Sequence, residues 1–68
     1  MIKKLDLHGV THPEVDRLVE NFVLLNKPPL EIICGNSGRM VKLVVDVLKR
    51  NNIDWERWEY GTIKILKW

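Results

Sequence analysis

Polar and apolar residues alternate at the start of the chain, where Leu5 and Leu7 bracket Asp6 and His8 follows. A period of two marks a strand with one buried face, so residues 2–8 are predicted to form one. Gly9 ends it. Thr11 and Glu14 then make the T-x-x-E pattern of a capping box, and Pro13 is at home in a first helical turn. From there the period changes. Val15, Leu18, Val19, Phe22 and Val23 are spaced as one stripe of an amphipathic helix, which Pro28 and Pro29 prevent from continuing.

The pattern then repeats. Residues 30–34, "LEIIC", read as a short apolar strand, and "GNSG" supplies a turn. A helix is predicted over about residues 39–50, with Met40, Leu43, Val44, Val47 and Leu48 as its buried stripe and Val41 and Val45 widening it. Lys49 and Arg50 place cations near its C-terminus. Residues 53–68 read as a hairpin. A type II′ turn at Gly61-Thr62 would pair Tyr60 with Ile63, Trp58 with Ile65 and Glu56 with Lys67. The other face would then pair Glu59 with Lys64, Arg57 with Leu66 and Trp55 with Trp68. A Tyr60-Gly61 loop would instead set Arg57 against Lys64, an unfavourable pair of like charges.

The resulting order is β-α-β-α-β-β. Right-handed crossovers put both helices on one face of a mixed four-stranded sheet, a two-layer α/β (α+β) sandwich with its other face at least partly open. The 68 residues are enough for one domain, residues 1–68, with a small core. A hydrophobic content of 46% excludes a disordered chain. A single cysteine, Cys34, excludes an internal disulfide, and no apolar run reaches the roughly 20 residues that span a bilayer. No signal peptide opens the chain, so a cytoplasmic protein without a membrane partner is expected. The net charge of +2 is too mild to announce a nucleic-acid binder, although a basic face can hide within it.

Alternation places Leu5 and Leu7 toward the helices and Asp6 and His8 together on the open side, at the strand's C-terminal end. Ligands of open α/β sheets gather at such ends. A carboxylate beside an imidazole prepares it for general acid–base work, while the plainer reading is a strand-end pair that caps the turn. In "CGNSGR" a strand, a glycine turn and a helix start offer backbone N–H groups and the helix dipole to an anion. Asn36 or Ser37 would cap the helix, and Arg39 and Lys42 add positive charge; an ordinary capped turn is the alternative. Parallel strands 1 and 2 would open on the same edge, making His8 and this turn neighbours. An acid–base pair next to an anion cradle suits the cutting of a phosphodiester. Cys34 has neither CxxC nor HxxxH company, so it reads as packing and no metal site is expected; His12 reads as solvent-exposed.

The hairpin raises a separate possibility. Trp55 and Trp68, flanked by Arg57 and Lys64, would line the open face, where aromatic and cationic groups can stack on and neutralise single-stranded nucleic acid. A protein or dimer patch, giving a monomer or weak dimer, and simple cross-strand stabilisation are the alternatives. Trp58 is expected in the core.

"LDLHG", a T-x-x-E helix, an apolar strand into a glycine turn and a second helix together resemble the Smr (small MutS-related) domain over nearly the whole chain, from Lys4 to Leu66. The resemblance implies a fold similar to the C-terminal domain of translation initiation factor 3. It also implies an endonuclease of DNA or RNA, with Asp6 and His8 catalytic and Gly9 closing the first motif. The family's second motif reads His or Thr, Gly, any residue, Gly; here it reads Cys34, Gly35, Asn36, Ser37, with Gly38 one place later. The expectation is a small Smr-like endonuclease, RNA slightly favoured over DNA, with Gly9, Gly35, Asn36, Ser37, Gly38, Arg39 and Lys42 binding phosphate. Cleavage of DNA would need activated water and a divalent metal such as Mg2+, which Asp6 could hold. A nucleic-acid-binding module without catalysis is the alternative.

Overall fold

A computed structural model describes residues 2–67 except Asn36 and Tyr60, with Trp58 and Glu59 described in their main chain only. Six elements follow in order: β1 (Lys3–Asp6), α1 (His12–Leu25), β2 (Leu30–Ile33), α2 (Gly38–Arg50), β3 (Glu56–Glu59) and β4 (Thr62–Ile65). The periodicities of the chain account for each of them. The sheet runs β1-β2-β4-β3. β1 and β2 are parallel, and β4 is antiparallel to both β2 and β3. The sheet is therefore mixed, and the crossover through α2 skips one strand before β4 fills the gap.

One core forms on the helix side. Val15, Val19 and Val23 from α1 and Met40, Val44, Val45, Val47 and Leu48 from α2 meet Leu7, Leu30, Ile32, Cys34, Ile63 and Ile65. Along β2 and β4 these buried residues alternate with less buried ones on the other face, so burial of a single sheet face fixes the register. Burial of so many branched aliphatic side chains is the main favourable term, at about 25 cal/mol per Å² of apolar surface removed from water.

The helix starts differ in kind. Ser37 caps α2, its Oγ accepting from the Met40 N–H at 3.1 Å. Thr11 stands at the N-cap of α1 in an extended conformation but makes no side-chain cap bond. The expected capping box is thus absent: Glu14 donates its amide to the Thr11 carbonyl at 3.0 Å and pairs its carboxylate with Arg17 instead. A nearby guanidinium on the helix surface draws Glu14 outward, and Pro13 already relieves one of the unpaired amides.

The hairpin register is also corrected. Glu56 faces Lys64, Arg57 faces Ile63 and Glu59 faces Thr62, with one extra residue bulged out between Arg57 and Glu59. The chain therefore turns between Glu59 and Thr62, one place earlier than a Gly61-Thr62 loop. The like-charge argument against that turn holds only for a regular ladder. The bulge at Trp58 slides Arg57 from Lys64 to Ile63 and brings Glu56 opposite Lys64, so the clash becomes an attraction. The expected pairs involving Tyr60 and Trp68, and the burial of the Trp58 side chain, lie outside the described residues.

The register builds a charged row on the face away from the helices. Lys4, Glu31, Lys64 and Glu56 stand side by side on the four strands. Glu31 pairs with Lys4 and Lys64, each at 3.8 Å, and its side chain is only 16% exposed, against 14% for Lys64 and 61% for Lys4. Glu31 is the shared partner of two cations, one of them largely shielded from water. Glu31→Gln is expected to lower stability by about 1–2 kcal/mol, between the values of exposed and buried pairs. Lys4→Gln should change it by less than about 0.5 kcal/mol, since Lys4 stays in solvent. Thermal melts of the two variants check the ranking; equal losses would contradict it.

Candidate nucleic-acid interface

The parallel ladder continues one residue beyond the strands, because the Leu7 N–H donates to the Ile33 carbonyl at 3.0 Å. His8 follows Leu7 directly and Cys34 and Gly35 follow Ile33, so the turn after β1 and the turn after β2 emerge side by side. Leu7 to Val10 closes with a bond from the Val10 N–H to the Leu7 carbonyl at 3.0 Å, and Gly9 has φ +78. That is a type II turn, which needs a positive φ at its third residue. His8 and His12, at the start of α1, are both exposed at this edge.

Asp6 takes a different partner from the one expected. Its Oδ1 accepts from the His8 main-chain N–H at 2.9 Å, in an exposed setting. Two residues of separation suit this local bond, whereas alternate side chains on one strand face stand roughly 7 Å apart. Asp6 thus fixes the turn that carries the imidazole and engages the main chain of His8.

The second turn brings its own donors. Gly35 has φ +74 and Gly38 opens α2. Of the amides at the start of α2, Met40 is held by the Ser37 Oγ and Val41 by the Ser37 carbonyl at 3.1 Å. Gly38 and Arg39 precede them, and helix geometry leaves their N–H groups without an intrahelical acceptor. Both residues are exposed, as is Lys42 one turn on. A Cβ at Gly9, Gly35 or Gly38 would meet nothing within 4 Å. The edge is therefore bare main chain over three glycines, with the dipole of α2 directed at it. Asn36 lies outside the described residues.

Cys34 closes β2 facing inward. It is 5% exposed, and its Sγ lies 4.0 Å from the Ile32 carbonyl. Burial pushes its thiol up from 9.0 to about 11, partly offset by the Arg57 charge. A neutral, buried thiol is neither nucleophile nor metal ligand at neutral pH. Among the described residues no three His, Cys, Asp or Glu side chains gather as a metal site would need.

Among the described residues, Trp55 and Arg57 of the expected aromatic and cationic platform do not face the open side. Glu56 pairs with Lys64 on that face, so alternation turns Trp55 the other way, and it packs half-buried against the core. Arg57 follows Ile63 toward the helix side, where its charge reaches Cys34. Lys64 does face outward, but it is largely buried and paired with Glu31. Trp68 lies outside the described residues. Trp55 instead borders a hollow of about 110 Å³ with Asp54, Glu56, Leu66 and Lys67, at the end of the sheet opposite His8. No family model, curated protein or solved structure matches the chain.

The Cys34 shift makes a prediction with a definite sign. The folded chain favours the neutral thiol more than the unfolded chain does. That stability is whole below the ordinary value of 9.0 and is lost as pH rises toward about 11. Chemical denaturation between pH 8 and 11 should show a steeper loss for the native chain than for Cys34→Ala. Parallel curves for the two proteins would contradict the burial of the thiol.

Proposed function

We propose that the edge formed by the turns after β1 and β2 holds the phosphodiester backbone of nucleic acid, RNA slightly favoured over DNA, and that the chain is a small Smr-like endonuclease. The observation that carries the reading is the bond from the Leu7 N–H to the Ile33 carbonyl, which sets the turn bearing His8 beside the turn that leads to the Gly38 and Arg39 amides. The element order and the strand order β1-β2-β4-β3 support it, being compatible with an Smr-type domain similar to the C-terminal domain of translation initiation factor 3. A cytoplasmic protein is part of the same reading.

Each group then has a task. The amides of Gly38 and Arg39, with the Arg39 guanidinium and the Lys42 ammonium, neutralise a phosphate and the charge that develops on it in the transition state. Gly9, Gly35 and Gly38 let the backbone of the ligand approach the backbone of the protein. His8 takes the proton of the ribose 2′-hydroxyl. The freed oxygen attacks phosphorus, the bond to the 5′-oxygen breaks, and that oxygen leaves with a proton from solvent, giving a 2′,3′-cyclic phosphate. Asp6 is a positioning residue, acting through the His8 amide. DNA has no 2′-hydroxyl, and the described side chains do not assemble a set of ligands for a metal that would activate water. No step is assigned to one, and RNA is the better substrate for what is present.

A second reading has its own support. Cys34 occupies the position where the resemblance puts His or Thr, and its side chain is buried. A group that would assist cleavage is therefore missing, and the same edge would bind nucleic acid without cutting it.

Labelled structured RNA, single-stranded RNA and supercoiled DNA incubated with purified protein separate the readings. Cleavage of RNA that falls at least about 100-fold in His8→Ala, with binding retained, supports the endonuclease. A variant that cuts as fast as wild type would sink that assignment, and RNA bound but intact after long incubation selects the binding module. In either case Arg39→Ala should weaken binding across all sequences and lower the salt slope by about one.

A further inference from the structure

The third turn at this edge belongs to the hairpin. Because β3 runs parallel to β2, the chain reverses between Glu59 and Thr62 beside the C-terminal end of β2. Gly61 is buried there, with φ +77. Its carbonyl accepts from the Cys34 N–H at 2.6 Å. A Cβ on Gly61 would run into the main chain of Gly35, its carbonyl oxygen first and then its carbonyl carbon and Cα. Main chain cannot rotate away as a side-chain tip can. Gly61 is thus required twice, by its positive φ and by the close approach.

The asymmetry with Gly35 is informative. Gly35 also has a positive φ, but its own Cβ would point into open space. One side of the β2–α2 loop therefore faces solvent and the other rests directly on the hairpin turn. The loop is three residues long between Cys34 and Gly38, and Ser37 already caps α2. Ser37 is held at the helix end by its cap, and Gly35 at the strand end lies against Gly61.

We infer that Gly61 is a positioning residue for the phosphate-binding loop: the hairpin turn seats against Gly35 and fixes where the Gly38 and Arg39 amides stand relative to His8. The inference rests on the reading of that edge as a nucleic-acid site. It assigns the hairpin after α2 a part in binding without contact to the ligand. The β2–β4 register belongs to the same device, because Thr62 stands opposite Ile33 and Gly61 therefore falls beside the residues that follow β2.

Three synthetic chains test it, a practical route for 68 residues. Gly61→Ala introduces the clash. Gly61→D-Ala favours the positive φ and directs its methyl away from Gly35. An ester in place of the Cys34 amide removes the N–H that Gly61 receives. The readouts are anisotropy of a labelled single-stranded RNA and the amide resonances of Gly35, Gly38 and Arg39, with Val15 and Val19 as controls for the core. Gly61→Ala and the ester should shift the loop resonances, leave the core resonances in place and weaken RNA binding about tenfold, since small misplacements at a site are costly. Gly61→D-Ala should bind as wild type. Should Gly61→Ala fail to fold, the ester chain decides alone. A folded Gly61→Ala or ester chain with unmoved loop resonances and wild-type affinity would overturn the inference. Wild-type protein that binds no RNA would overturn the functional reading instead, and the loop resonances would still decide whether Gly61 positions the loop.

Discussion

The parallel pairing of β1 with β2 is the constraint on which the rest depends. Its last bond, from the Leu7 N–H just past β1 to the carbonyl of Ile33 at the end of β2, ties the two following turns together. Parallel strands present their C-terminal ends to the same edge, and helices that follow them start there. The open amides of α2, the imidazole of His8 and the three exposed glycines are neighbours for that reason. Nothing in the local sequence of either turn could bring them together. The apolar core enforces the pairing in turn, since a slip of one residue would send Leu5, Leu30 and Ile32 into water and bury Lys4 and Glu31.

The face away from the helices illustrates how charge can be spent on architecture. The row Lys4, Glu31, Lys64, Glu56 alternates in sign across four strands. Such a row is close to neutral and satisfies itself, which suits a sheet face with no helix on it and makes a poor platform for a polyanion. Arg39 and Lys42 stand apart from that row, exposed near the N-terminus of α2. A mild total charge is then compatible with a local anion site, because acidic and basic residues are sorted by position.

Much of this was legible in the chain. The change of period from two at Leu5 and Leu7 to helical spacing at Val15 through Val23 gave the first β-α unit, and "LEIIC" with the stripe from Met40 to Leu48 gave the second. Ser37 and Gly35 were recognisable from turn and capping chemistry. The hairpin register was not, since a bulge adds a residue without any compositional mark and reverses the facing of Trp55 and Arg57. Nor was the partner of Asp6. Alternation put its side chain beside that of His8, but a free main-chain amide two residues on was the nearer donor. The contact between Gly61 and Gly35 joins residues 26 apart in sequence, and the glycine that suggested a turn gave no hint that a second main chain lies against it.

Amide shifts directly read the juxtaposition of the two turns at the C-terminal edge of β1 and β2. Titrating isotope-labelled protein with a short single-stranded RNA should move the resonances of His8, Gly35, Gly38 and Arg39 along a single binding curve. Shifts confined to Asp54, Trp55 and Leu66 at the opposite end of the sheet, or none at all, would contradict it.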